Sequence, residues 1–186
     1  MKYKSINSRF IVVFSIILAA ALLRLLPHWP NFTPIAAMAL FAGTYVDRKR
    51  FAFAIPIAAM LLSDLVIGLH SIMPAVYISF AITVLIGMHL RNKVGVGMVV
   101  FASLSSSVIF FLITNFAAWQ ASPIYPQTMA GLIECYIAGL AFFRDTTNGI
   151  SFFINDLIGT TFYSAIFYGS FFLLQLRFPV LDRSRF

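Results

Sequence analysis

Apolar residues in this chain fall in long unbroken runs, not at the alternating or every-third-to-fourth spacing of half-buried elements, and short polar clusters separate one run from the next. Runs at about 10–26, 34–46, 51–69, 74–90, 94–118 and 150–176 each predict a membrane-spanning helix. Lys2, Lys4 and Arg9 precede the first run and Pro27 stops it. Its basic start and the small triplet Ala19-Ala20-Ala21 also fit a signal peptide, but the continuation to Leu26 favours a retained helix. The second run is short, and it spans only if its helix begins with Thr33 as N-cap and Pro34 in the first helical position.

Further along, the third run carries Pro56 and Ser63-Asp64, and the fourth ends at Arg91-Asn92-Lys93. The fifth has Ser103 and Ser105-Ser106-Ser107 at its middle. A seventh apolar stretch, 128–143, holds Glu134 and ends at Arg144-Asp145. The distribution of Lys and Arg decides how it is threaded. If 128–143 lies along or dips into the outer face, the basic N-terminus, the Asp47–Arg50 loop, Arg91/Lys93 and the Arg177–Arg185 tail all fall on one side. Only Arg24 and Arg144 are then outside, as the positive-inside rule requires. The expected fold is therefore an all-α integral membrane protein: one transmembrane domain over residues 1–186, six transmembrane helices, an irregular or re-entrant outer segment, and both termini in the cytoplasm.

Composition agrees. Of the 186 residues 61% are apolar or aromatic and 10% charged, with 21 Phe, against about 45–50% and about 25% in soluble domains. The mean hydropathy is +0.93. A net charge of +7 does not indicate nucleic acid, because the basic residues punctuate the apolar runs. One cysteine, Cys135, excludes an intrachain disulfide and a cysteine-cluster metal site. No His-Glu-x-x-His, Gly-x-Ser-x-Gly or phosphate-binding lysine loop occurs. An enzyme is not expected, nor a resident cofactor, and ATP-driven work would fall to another chain.

Two acids, Asp64 and Asp156, lie inside apolar runs, where each needs a partner, a cavity or a proton. The six-helix threading puts both at similar depth in the outer third, level with Arg24. The three either tie helices together or form the floor of a cavity. The same side gathers His28, Trp29, Asn31, Phe32, His70, Tyr77, Asn115, Trp119, Tyr125, Glu134, Cys135 and Tyr136. An aromatic belt accounts for Trp29, Trp119 and Tyr125; the amides of Asn31 and Asn115 and the Glu134 carboxyl point instead to a wet cup open to the outside. His89 at the other end snorkels to headgroups. Small residues four apart, Ser15/Ala19 and Ala39/Gly43, permit close helix contact. The segments Asp64-Leu65-Val66-Ile67-Gly68 and Asp156-Leu157-Ile158-Gly159 echo one another.

The stretch from Arg24 through Pro27-His28-Trp29-Pro30-Asn31-Phe32-Thr33-Pro34 to Gly43 resembles the opening of a small bacterial family of uncharacterised transport-type proteins. So do Ser63-Asp64-Leu65, Phe110–Trp119 and Gly131-Leu132-Ile133-Glu134-Cys135-Tyr136. That family is similar to the S components of energy-coupling-factor (ECF) vitamin transporters, including the solitary cobalamin-specific type. The resemblance implies a multi-pass protein of the bacterial inner membrane that captures a small vitamin-like solute from outside and topples to release it. It also implies an ECF-type coupling subunit and ATPases as partners beside the bilayer, docking on the small-residue faces of the first two helices. Cobalamin is the leading substrate by this resemblance, with His28, His70 or Cys135 as a candidate cobalt ligand. Lys2 stands where the metal-transporting S components have histidine. A membrane scaffold without transport activity and a proton-coupled carrier titrating Asp64 or Asp156 are the alternatives.

Overall fold

The computed structural model describes residues 8–26, 29–141 and 151–181. Expectations that rest on Lys2, Lys4, His28, Arg144, Arg183 and Arg185 lie outside these. The described residues form α1 (Ser8–Leu23), α2 (Ile35–Tyr45), α3 (Lys49–Ile67), α4 (Met73–Leu90), α5 (Val96–Ala121), α6 (Met129–Ala141) and α7 (Phe152–Arg177), with a short 3-10 turn at Pro179–Leu181. Helices α3, α4, α5 and α7 are long and apolar enough to cross a membrane. Much of their apolar surface faces outward: Leu65, Val66, Phe101, Leu173 and Val96 are all exposed, Val96 at 86%. A soluble chain does not leave such faces in water, so the solvent here is lipid.

Helices α1 to α5 alternate in direction between two ends. The basic end holds the start of α1, the α2–α3 turn with Arg48, Lys49 and Arg50, the α4–α5 turn with Arg91 and Lys93, and Arg177. The loop end holds residues 24–34, 68–72 and 122–128. From there α6 runs back beside α5, its Cys135 Sγ donating to the Asn115 carbonyl at 3.5 Å and its Tyr136 hydroxyl to that of Leu112 at 2.8 Å. The next helix, α7, starts at the loop end again, where the Asn155 amide bonds the Pro30 carbonyl at 2.8 Å. Helix α6 thus packs beside the second half of α5, and both α6 and α7 begin at the loop end.

At the centre stands α2, with every residue from Ile35 to Thr44 buried. Its closest neighbour is α4. A Cβ on Gly43 would lie 2.2 Å from the Val84 carbonyl oxygen, and one on Gly87 would lie 2.2 Å from that of Leu40, so the two backbones touch because these positions lack side chains. Across the helix, Phe41 meets Phe167, Tyr168 and Phe171 edge-on. Arg91 closes its end, donating to the carbonyls of Gly43, Val46 and Asp47 at 2.9, 2.7 and 3.2 Å, which satisfies groups that a helix C-terminus leaves free.

Several expectations are corrected. Pro34, not Thr33, occupies the N-cap of α2, with no side-chain cap bond. Its small residues Ala39 and Gly43 serve internal packing, so this helix offers no face to a coupling subunit, whereas Ser15 and Ala19 of α1 are exposed. The two echoing acidic segments end differently, as no repeat was expected: Gly68 ends α3 at φ 114°, while Gly159 lies inside α7, where a Cβ would sit 3.1 Å from the Phe32 Cα.

Candidate functional site

Of the three charged groups expected to converge, two do. Arg24, just past the end of α1, reaches α3 and pairs with Asp64 at 2.5 Å, while also donating to Ser63 Oγ and, at 3.3 Å, to the Met60 carbonyl. Tyr77 of α4 donates its hydroxyl to the other Asp64 oxygen at 2.7 Å. Asp64 is thus fully engaged at 2% exposure. This cluster ties α1, α3 and α4 together at the loop end.

Asp156 lies elsewhere, on the first turns of α7 against α5. Ser107 Oγ approaches its backbone carbonyl at 3.4 Å, and no Lys, Arg or His pairs with it among the described residues. Its Oδ2 is buried without a hydrogen-bond partner. Asp156 lines a cavity of about 400 Å³ at the loop end, shared with Asn31, His70, Asn115, Tyr125, Cys135, Phe110, Phe111, Phe152 and Phe153. This cavity is built by the α1–α2, α3–α4 and α5–α6 loops with α4, α5, α6 and α7, and it takes in Asn31, His70, Asn115, Tyr125, Cys135 and Asp156 of the residues expected at a cup, while Trp29, Tyr77, Trp119 and Glu134 do not line it.

Local geometry sets what each wall presents. Asn31 adopts a left-handed backbone (φ 61°), a region that asparagine enters more readily than other side-chain-bearing residues. Asn115 spends its amide N–H on the Phe111 carbonyl at 2.9 Å; its Oδ1 faces Gly139, where a Cβ would come within 2.2 Å. Only glycine lets α6 approach there. Burial pushes the Cys135 thiol upward, so it offers a neutral S–H and not a thiolate. The lining residues thus bring aromatic area, amide and hydroxyl groups and an imidazole to the cavity, with Asp156, whose Oδ2 is buried without a hydrogen-bond partner, at its edge. No group of three His, Cys, Asp or Glu that would hold a metal occurs among the described residues.

Other candidates serve the frame. Trp29 meets Phe32 edge-on at 6.0 Å and is 62% exposed. Phe32 packs on Phe162 and Tyr163. Trp119 Nε1 donates to the Pro126 carbonyl at 2.9 Å and Gln127 returns a bond to the Trp119 carbonyl, which fixes the α5–α6 loop. Tyr136 braces α6 on α5, and Glu134 is exposed.

A second cavity, of about 770 Å³, was not foreseen. It opens at the basic end between α5 and α7, with Arg9, Tyr45, Arg91, Ser103, Thr161 and Tyr168 on its walls. Arg9 stacks over Tyr45 and Phe171 at 5.8 and 5.9 Å. In the sequence Arg9 reads as one more flanking cation, and nothing local marks it as buried. Compared with curated proteins and with solved structures, the chain has no match. A family profile matches over residues 4–181, nearly the whole length, and by that match the chain belongs to DUF6580, a family of unknown function.

Proposed function

We propose that the chain is a substrate-binding transport protein of the bacterial inner membrane, with six transmembrane helices, its basic end in the cytoplasm and its loop end outside. The loop-end cavity receives a small organic solute for uptake. Orientation is supported by charge: Arg48, Lys49, Arg50, Arg91, Lys93 and Arg177 share one end, while Arg24 at the other is neutralised by Asp64.

The observation that carries the reading is the Asp156 carboxylate. A charged acid inside a membrane helix costs about 2.5–3.5 kcal/mol on insertion scales, and no cation among the described residues pairs with this one. A ligand that brings a cationic or strongly donating group into the cavity does. The phenylalanine walls, with Phe111 and Phe153 centroids 4.7 Å apart, suit a flat body and attract a cation to their faces. Cavities of about 300–1,000 Å³ hold drug-sized ligands, and about 400 Å³ favours one well below the size of a corrin ring. The resemblance to cobalamin-specific proteins thus narrows to a smaller, vitamin-like amine or heteroaromatic. The exposed Ser15/Ala19 face of α1 is the surface left for a coupling subunit.

The test is a thermal-shift screen of purified protein against small organic cations, neutral vitamins of similar size, and cobalamin. A ligand at a hundredfold its Kd stabilises by about 2.7 kcal/mol. A cation should raise the melting temperature of the native chain and leave Asp156→Asn unmoved. Well-folded protein that no compound stabilises would reject transport and favour a scaffold, for which the Arg24–Asp64–Tyr77 tie is sufficient.

A further inference from the structure

The two cavities are joined by one line of buried polar side chains. On α7, Asp156, Thr160, Ser164 and Tyr168 recur every four residues, so they share one face and cover about 18 Å of helix. Asp156 lines the loop-end cavity and Tyr168 the basic-end cavity. Facing them on α5 are Ser107, beside Asp156, and Ser103, whose Oγ bonds Ser164 Oγ at 2.9 Å and which itself lines the basic-end cavity. Antiparallel packing of α5 and α7 brings these two stripes together with no large apolar side chain in either.

Helix adhesion alone does not explain the seam. Ser103 already satisfies itself on the Val99 carbonyl at 2.8 Å, as serine does in any membrane helix. Thr160, by contrast, is 0% exposed and its Oγ1 bonds nothing; valine would fill the same volume without stranding a hydroxyl. Two orphaned oxygens, Thr160 Oγ1 and Asp156 Oδ2, therefore sit one helical turn apart between two cavities that open toward opposite ends. Buried groups of this kind are satisfied when water or solute passes.

We infer that the α5–α7 seam is the inward passage of the transporter, closed in this conformation and hydrated when the two helices part, so that a small polar solute moves from the loop-end cavity to the basic-end cavity through the bundle. The inference rests on the transport reading and replaces, within it, release by toppling of the whole bundle.

Cysteine accessibility separates the two. In a Cys135→Ala background, native membrane vesicles of both orientations are treated with a small, water-soluble cationic methanethiosulfonate reagent. Because only the hydrated thiolate reacts, Thr160→Cys and Ser164→Cys should label at least about tenfold faster than the lipid-facing Ile158→Cys and Ile166→Cys. Ser107→Cys, 0% exposed and on the wall of neither cavity, reads the same seam from α5 should either variant fail to fold. Asn115→Cys reports the loop-end cavity independently. Labelling at 115 with none at 107, 160 or 164 overturns the passage and leaves the cavity intact; no labelling at any of the four overturns both.

Discussion

Removal of Arg24 tests the loop-end tie most directly. Arg24→Met keeps the length of the side chain and strips Asp64 of its ion pair, leaving the Tyr77 hydroxyl as its remaining bond at 2.7 Å. Because Asp64 is 2% exposed, the stranded carboxylate cannot recover solvation, and a pair broken from one side costs about 3–5 kcal/mol. Ser63 contributes little to the loss, since it still donates to the Met60 carbonyl at 2.8 Å. For a chain of this length each kcal/mol corresponds to about 2–4 °C of melting temperature, so the variant should melt about 6–20 °C lower. Arg24→Met with Asp64→Leu removes both charges and should recover most of this, short of the cost of the unpaired Tyr77 hydroxyl, about 1–3 kcal/mol. Adding Tyr77→Phe should restore the remainder. The assay is thermal unfolding in mild detergent followed by tryptophan fluorescence, with size-exclusion profiles to verify folding. Strictly additive losses across the three variants would refute the reasoning, because residues that do not interact show no recovery.

Other outcomes follow from the same geometry. Gly43→Ala or Gly87→Ala drives a methyl into a facing carbonyl and should cost at least about 1–3 kcal/mol, whereas Gly97→Ala, with nothing within 4 Å, should be neutral or slightly stabilising. Ser103→Cys with Ser164→Cys, in a Cys135→Ala background, should form a disulfide under mild oxidation, seen as a reducible mobility shift; failure to cross-link would deny the α5–α7 register. Asp156→Asn should melt no lower than the native protein without ligand, since it discharges an unpaired buried group; a large drop would mean that Asp156 has a partner. Membrane-impermeant labelling of intact cells should modify Gln127→Cys but neither Lys93→Cys nor Val180→Cys, and labelling at 180 would show that α6 crosses.

Helix positions were legible because in lipid a run of apolar residues needs no partner pattern: the expected span 74–90 and α4, or 51–69 and α3, differ by at most two residues at either boundary. The Arg24–Asp64 pair was legible as a shortage, since few polar groups at that depth could answer one another. What sequence could not resolve was azimuth. The expected threading puts Asp156 and Asp64 at comparable depth, yet α7 turns Asp156 toward Ser107 of α5 and Asp64 alone meets Arg24, because uniformly apolar helices carry no moment that reveals which way they face. The stripe from Asp156 to Tyr168 was visible as a spacing of four. Only the facing serines of α5 give it meaning, and they were read as a patch of their own.

The enclosure of α2 bears on how the protein is made. Its eleven helical residues rise about 16 Å, roughly half the hydrocarbon thickness of about 30 Å, and every side chain from Ile35 to Thr44 touches protein and not lipid. As it leaves the ribosome, before α4 and α7 exist, this segment has neither the length to hold a transmembrane position alone nor the neighbours that later sheathe it. Its membrane integration must therefore be provisional until α4 supplies the Gly87 contact and Arg91, and final only when α7 brings Tyr168, whose hydroxyl lies 2.6 Å from that of Thr44. Biogenesis of this segment thus waits for α7, and a chain truncated before α7 should be a substrate for membrane quality-control proteases.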